Sequence, residues 1–228
     1  MNNEVSKTMS IQQFFSRIYA VMAMGVGVSA ITSILSLTVF RENVISLLNN
    51  GGTVPLLFVW VAEIALVIWL SRSSVRDSGM ALPGFFLYSA LNGFVLSITL
   101  AFYDINVVGQ AFVTAALTFA GMAVFGARTS KNLSGMGQAF ISALWGVIVA
   151  MLLNAFFFHN GAMGMLISLV SVVIFAGLTA YDNQNIKNVY YSNNGEVREG
   201  WAIYMALSLY LDFINLFLAL IRIFGSRD

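Results

Sequence analysis

The sequence holds no cysteine and a single histidine, His159. Disulfides, thiolate metal sites and cysteine nucleophiles are thereby excluded, and so is any metal centre built from several imidazoles. Charge is equally scarce. Asp, Glu, Lys and Arg together make up 9% of the 228 residues, against roughly a quarter in soluble domains. The net charge is +1. A chain so poor in charge cannot assemble a basic surface for nucleic acid.

What is present is apolar. Hydrophobic residues make up 59% of the chain, and the mean hydropathy is +0.83. A bilayer core requires about 20 apolar residues per helix. Seven runs qualify: 18–40, 54–70, 81–102, 107–127, 136–158, 163–181 and 201–224. They are continuous where a membrane β-barrel would alternate. The polar breaks between them, such as RTSKNLSG and DNQNIKNVYYSNNGEVREG, are too short for a soluble domain. The expected architecture is all-α: one integral membrane bundle of seven helices over residues 1–228. The first run is too long for a signal-peptide core and reads as a retained span. Pro83 is expected in the first turn of its helix. Gly25, Gly27, Gly121 and Gly126 read as sites of close helix packing.

Orientation follows from Lys and Arg. Lys7, Arg17, Arg72, Arg76, Arg128, Lys131, Lys187 and Arg198 fall on the amino-terminal side of the bundle. Arg41, Arg222 and Arg227 fall on the other. The amino terminus is therefore expected in the cytoplasm. A re-entrant last segment would return Arg222 and Arg227 to that side. Minimal loops suit a bacterial inner membrane.

Three acids fall in or at the edge of the apolar runs, and one at a helix centre costs about 2.5–3.5 kcal/mol to insert. Asp212 stands in SLYLDFINLF, Asp182 in GLTAYDNQNIK and Glu63 in WVAEIALVIW. At 100° per residue, Tyr204, Ser208 and Asn215 lie on the Asp212 side of the last helix, as do Ala219 and Arg222. Such a stripe is expected to face protein or water. Asp182 falls where the sixth run meets its polar loop, with Ser168, Ser171, Phe175 and Thr179 on its face. No Lys or Arg lies in the apolar core of a run; Arg222 stands near the end of the last one. Arg72 is nine residues beyond Glu63, about 13 Å of rise, too far to pair with it. Asn92, Thr99 and Asn154 read as interhelical hydrogen-bonding residues. Membrane acids without an intramembrane base suit cations or protons rather than anions. If Asp182 and Asp212 meet, both cannot ionise cheaply, and they would share a proton and titrate as a pair. Calcium, which prefers oxygen ligands, is a possible guest of that pair.

The stretches AYDNQNIK (180–187) and MALSLYLDFINLF (205–217) resemble the signature of the Bax inhibitor-1 family. FFSRIYAVMAMGVGVSA resembles that family's first span. An acid-bearing second span followed by Arg is also similar. The resemblance implies a seventh helix central between two three-helix layers. It implies that Asp182 and Asp212 act as a pH sensor over a calcium leak that the seventh helix blocks. It also implies an Arg near the end of the second span that latches the pair. Arg72 is the candidate, with Ser74 or Arg76 selected if the linker shifts. Glu63 would lie on the cation path. The implied partners are the bilayer, calcium, protons and a membrane protein such as a protease. No tightly bound cofactor is expected.

Two other readings stand beside the leak. The chain could regulate another membrane protein and conduct nothing. It could also be an intramembrane aspartyl protease. Such enzymes carry a GxGD motif where this chain has LYLD, and their Pro-Ala-Leu motif is absent here.

Overall fold

The computed structural model describes residues 9–51, 54–76 and 79–225. Among them the regular structure is helical throughout, and seven helices are long and apolar enough to cross a membrane. The protein is an all-α membrane bundle.

Helix α1 (Ile11–Thr38) begins at a reciprocal cap. Ser10 Oγ accepts from the Gln13 amide at 3.2 Å, and Gln13 Oε1 accepts from the Ser10 amide at 2.9 Å. Two orphan donors are satisfied, so α1 starts seven residues before the expected Ile18. Helix α2 (Arg41–Gly51) is short, and it occupies a stretch expected to be a polar break. Then come α3 (Val54–Val75), α4 (Ala81–Leu100) and α5 (Ile105–Arg128). Pro83 is the third residue of α4, inside the first turn as expected. Asp104 caps α5 by accepting from the Asn106 amide at 2.8 Å.

Helix α6 (Ser134–Leu153) runs on into a π-helical turn, Asn154–Phe158. The His159 amide reaches back to the Asn154 carbonyl at 2.8 Å, and the Asn160 amide to Asn154 Oδ1 at 3.0 Å. His159 takes a left-handed conformation, φ 49°, which ends the helix. Asn154 therefore serves its own turn; the expected bond to another helix is not the one it makes.

Helix α7 (Gly161–Ser192) continues eleven residues beyond the expected end at Tyr181. Asn183 and Ile186 in this extension are fully buried. Gln184 Oε1 accepts from the Leu133 amide at 2.8 Å, and its Nε2 donates to the Lys131 carbonyl at 2.8 Å. Tertiary packing thus holds a helix where hydropathy alone reads a loop. Helix α8 (Glu199–Gly225) is unbroken over 27 residues. At 1.5 Å per residue it is about 40 Å long, enough to cross a bilayer without turning back. It is the most thoroughly buried of the seven spans.

The described residues form two compact units. One comprises those of Met1–Phe102 and Asn193–Tyr210; the other those of Tyr103–Ser192 and Leu211–Asp228. Small residues set the packing within each. In the first, Gly93 lies against the backbone of Ser29, leaving no room for a Cβ. In the second, Gly126 lies equally close to the backbone of Ala180. Gly25 also packs tightly, against the Phe85 ring, whereas Gly27 and Gly121 face open space and take no part in packing.

Candidate functional site: a carboxylate pair and a second polar chain

Asp212 and Asp182 both belong to the second unit. Asp212 is 5% exposed, and its Oδ2 has no hydrogen-bond partner among the described residues. Asp182 is partly buried and lies within reach of the Asp212 charge. Asp182 is not a helix-end residue, because α7 runs on past it. Two carboxylates are thus brought together in a setting of low polarity.

The surroundings do little to hold them by hydrogen bonds. Thr179 Oγ1 donates to the Phe175 carbonyl at 2.8 Å, and Asn183 Nδ2 donates to the Thr179 carbonyl at 2.8 Å. Both side chains flank Asp182, and both serve the backbone of their own helix. What fixes Asp212 is packing by its neighbour in sequence. The Phe213 ring meets Phe112 and Phe119 edge to face, with centroids 5.6 and 5.8 Å apart. Such pairs contribute about 0.5–1.5 kcal/mol each beyond their burial. They set the rotation of α8 against α5.

The expected stripe on α8 is less buried than the helix's other sides. Tyr204, Ser208 and Asn215 are half-buried and Arg222 is exposed, while Asp212 at the stripe's edge is buried. Asn215 Nδ2 donates to the Leu211 carbonyl at 2.8 Å, and Tyr204 meets the Trp201 ring at 6.0 Å. Arg72 and Arg76, in the first unit, are exposed and make no ion pair among the described residues; Ser74 between them is buried. No cluster of three or more His, Cys, Asp or Glu side chains suited to a metal occurs among the described residues. A cation beside the Asp pair would have to take its other ligands from carbonyls, hydroxyls or water.

The first unit holds a second polar assembly. Asn92 Nδ2 donates to Glu63 Oε1 at 3.2 Å. The Tyr210 hydroxyl donates to Asn92 Oδ1 at 3.0 Å and lies 2.7 Å from Ser29 Oγ. Ser29 Oγ in turn lies 2.7 Å from the Ser89 carbonyl. The chain Glu63–Asn92–Tyr210–Ser29 links α3, α4, α8 and α1. Tyr210 is fully buried, with Phe85 and Tyr88 edge-on at 5.6 and 5.9 Å. Asn92 makes the interhelical bonds expected of it. Tyr210 and Ser29 were not anticipated. Their one sequence signal is that Tyr210 precedes Asp212 by two residues, which sets it on the opposite side of α8.

The family described as inhibitor of apoptosis-promoting Bax1 matches residues 11–228 of this chain. An uncharacterized protein YrjE of Lactococcus lactis is 51% identical over 215 residues, covering 94% of this chain and 91% of its own. An uncharacterized membrane protein of Streptococcus pyogenes serotype M1 is 48% identical over the full length of both. The inner membrane protein YbhL of Escherichia coli is 34% identical, covering 95% of this chain and 93% of its own.

Proposed function

The chain belongs to the Bax inhibitor-1 family, and we propose that it serves as a pH-sensitive calcium leak of the membrane, gated by Asp182 and Asp212. The observation that carries this reading is the buried Asp212 carboxylate with an unpartnered oxygen beside a second acid. Two such groups repel when both are charged, and a single proton relieves the repulsion. Their protonation state therefore alters how α7 and α8 pack, which is what a gate needs. Calcium and protons are the cargo and the signal. Glu63 in the middle of α3 supplies a further oxygen ligand for a passing cation, and Arg72 is the candidate latch. The protein conducts and does not catalyse. It sits in the bacterial inner membrane with its amino terminus in the cytoplasm.

The test is calcium flux into liposomes holding the purified chain, from about pH 6 to 8, beside Asp182→Asn and Asp212→Asn. Asn keeps the shape and removes the charge. The expected result is a flux that depends on pH in the native chain and on pH much less in either variant. A native-like pH profile in Asp212→Asn would sink the gating role. No flux at any pH would move the reading to a non-conducting regulator of another membrane protein.

A further inference from the structure

At the end of α1 and α4 farthest from Arg17, the first unit contains a cavity of about 220 Å³. Leu37 of α1, Ile45 of α2, and Ile98 and Phe102 at the close of α4 line it. Arg41 lines it too. No acidic side chain does, and Arg41 makes no ion pair among the described residues. The hydroxyl of Ser97, at the cavity wall, is already engaged with the Phe94 carbonyl at 2.6 Å. The cavity thus has apolar walls and one uncompensated positive charge.

The register of α2 makes that charge conspicuous. At 100° per residue, Arg41 falls between Val44 and Ile45, within the apolar arc of the helix. Asn43, Ser46 and Asn50 occupy the opposite arc. A guanidinium on the apolar side of a short helix, where two spans end, lies at the depth of lipid headgroups. The apolar side chains around it point the same way. Val39 is 67% and Phe102 83% exposed, which suits contact with lipid at the end of a span.

We infer that this cavity is a binding site for an anionic phospholipid of the surrounding leaflet, its phosphate on Arg41 and part of an acyl chain along Leu37, Ile45 and Ile98. Charge complementarity selects the class. A cation is repelled by Arg41, and a soluble anion gains nothing from the apolar walls. A zwitterionic lipid offers the same chain with no net charge to attract. The site lies wholly within the first unit and is independent of the acid pair.

Titration of the purified full-length chain in neutral detergent, read by native mass spectrometry, tests this. The probes are a phosphatidylglycerol, a phosphatidylcholine of the same chains, and glycerol phosphate as the headgroup alone. The native chain should prefer phosphatidylglycerol over phosphatidylcholine by roughly fivefold, the contribution of one basic residue at an anionic surface. Arg41→Gln should abolish that preference, Arg41→Lys should keep most of it, and Arg222→Gln, an exposed Arg elsewhere, should keep all of it. Ala101→Trp should fill the cavity and lower the affinity for both lipids. Circular dichroism and gel filtration confirm folding, and Arg41 is exposed enough that its variants leave the helices intact. Equal binding of the two lipids by the native chain, an unchanged preference in Arg41→Gln, or full displacement by glycerol phosphate would each overturn the inference.

Discussion

The hydroxyl of Tyr210 lies 3.0 Å from Oδ1 of Asn92, and the amide of the same Asn92 reaches Glu63. One tyrosine and one asparagine thereby connect three helices across a stretch where lipid offers no competing partner. Because Asn92 accepts from Tyr210, its nitrogen is turned toward the carboxylate. Tyr210→Phe keeps the ring and its contacts with Phe85 and Tyr88 but removes that constraint. The expected cost is about 0.6–1.7 kcal/mol, the range of interhelical hydrogen bonds in membranes. Reversible unfolding in bicelles reads it. Tyr210→Phe combined with Asn92→Ala should cost less than the sum of the two single changes.

The glycines separate into two kinds. Gly93→Ala and Gly126→Ala drive a methyl into the backbones of Ser29 and Ala180 and should destabilise by about 1–3 kcal/mol. Gly27→Ala and Gly121→Ala face open space and should be neutral or slightly stabilising, since Ala is the better helix former. Thermal unfolding of the four variants side by side checks the division. Equal losses in all four would contradict it.

The far end of α7 depends on Gln184. Its side chain makes two bonds to the 131–133 segment. Gln184→Ala removes both, at about 1 kcal/mol each. Hydrogen exchange should rise in residues 185–192 and stay unchanged in 163–178.

Arg17 and Glu199 form an ion pair between α1 and the start of α8, with Nε donating to Oε1 at 2.6 Å. Their side chains are 37% and 42% exposed. Water and salt screen such a pair, so Arg17→Ala should cost no more than about 0.5 kcal/mol, and raising the salt should erase the difference. A larger loss would mean that Arg17 supports the bundle through its aliphatic stem.

The membrane class and the seven spans were legible because hydropathy is a property of runs, and runs survive without a structure. Asp182 and Asp212 were legible because an acid stands out against an apolar segment. Counted from the turn between α7 and α8, Asp182 is ten residues back and Asp212 thirteen residues on. That is about 15 and 20 Å along two helices, so the two fall at similar depth. Tyr210 was not legible, since an aromatic residue in an apolar helix is ordinary. Its partner Asn92 lies 118 residues away. Helix α2 and the extension of α7 were missed for a related reason. Both are amphipathic or polar pieces that hydropathy reads as breaks. In the α7 extension packing supplies the helicity, as the fully buried Asn183 and Ile186 show, whereas the described residues of α2 are mostly exposed.

The unbroken course of α7 has a mechanical consequence. A loop beginning at Asp182 would absorb any movement there; a rigid rod does not. Tyr190 lies eight residues past Asp182, about 12 Å along the axis. A tilt of about 10° with its pivot at the acid therefore swings Tyr190 sideways by about 2 Å. Helix α7 is a lever. A tilt at Asp182 is carried along the helix toward Tyr190 and loads the Gln184 bonds to the 131–133 segment on the way.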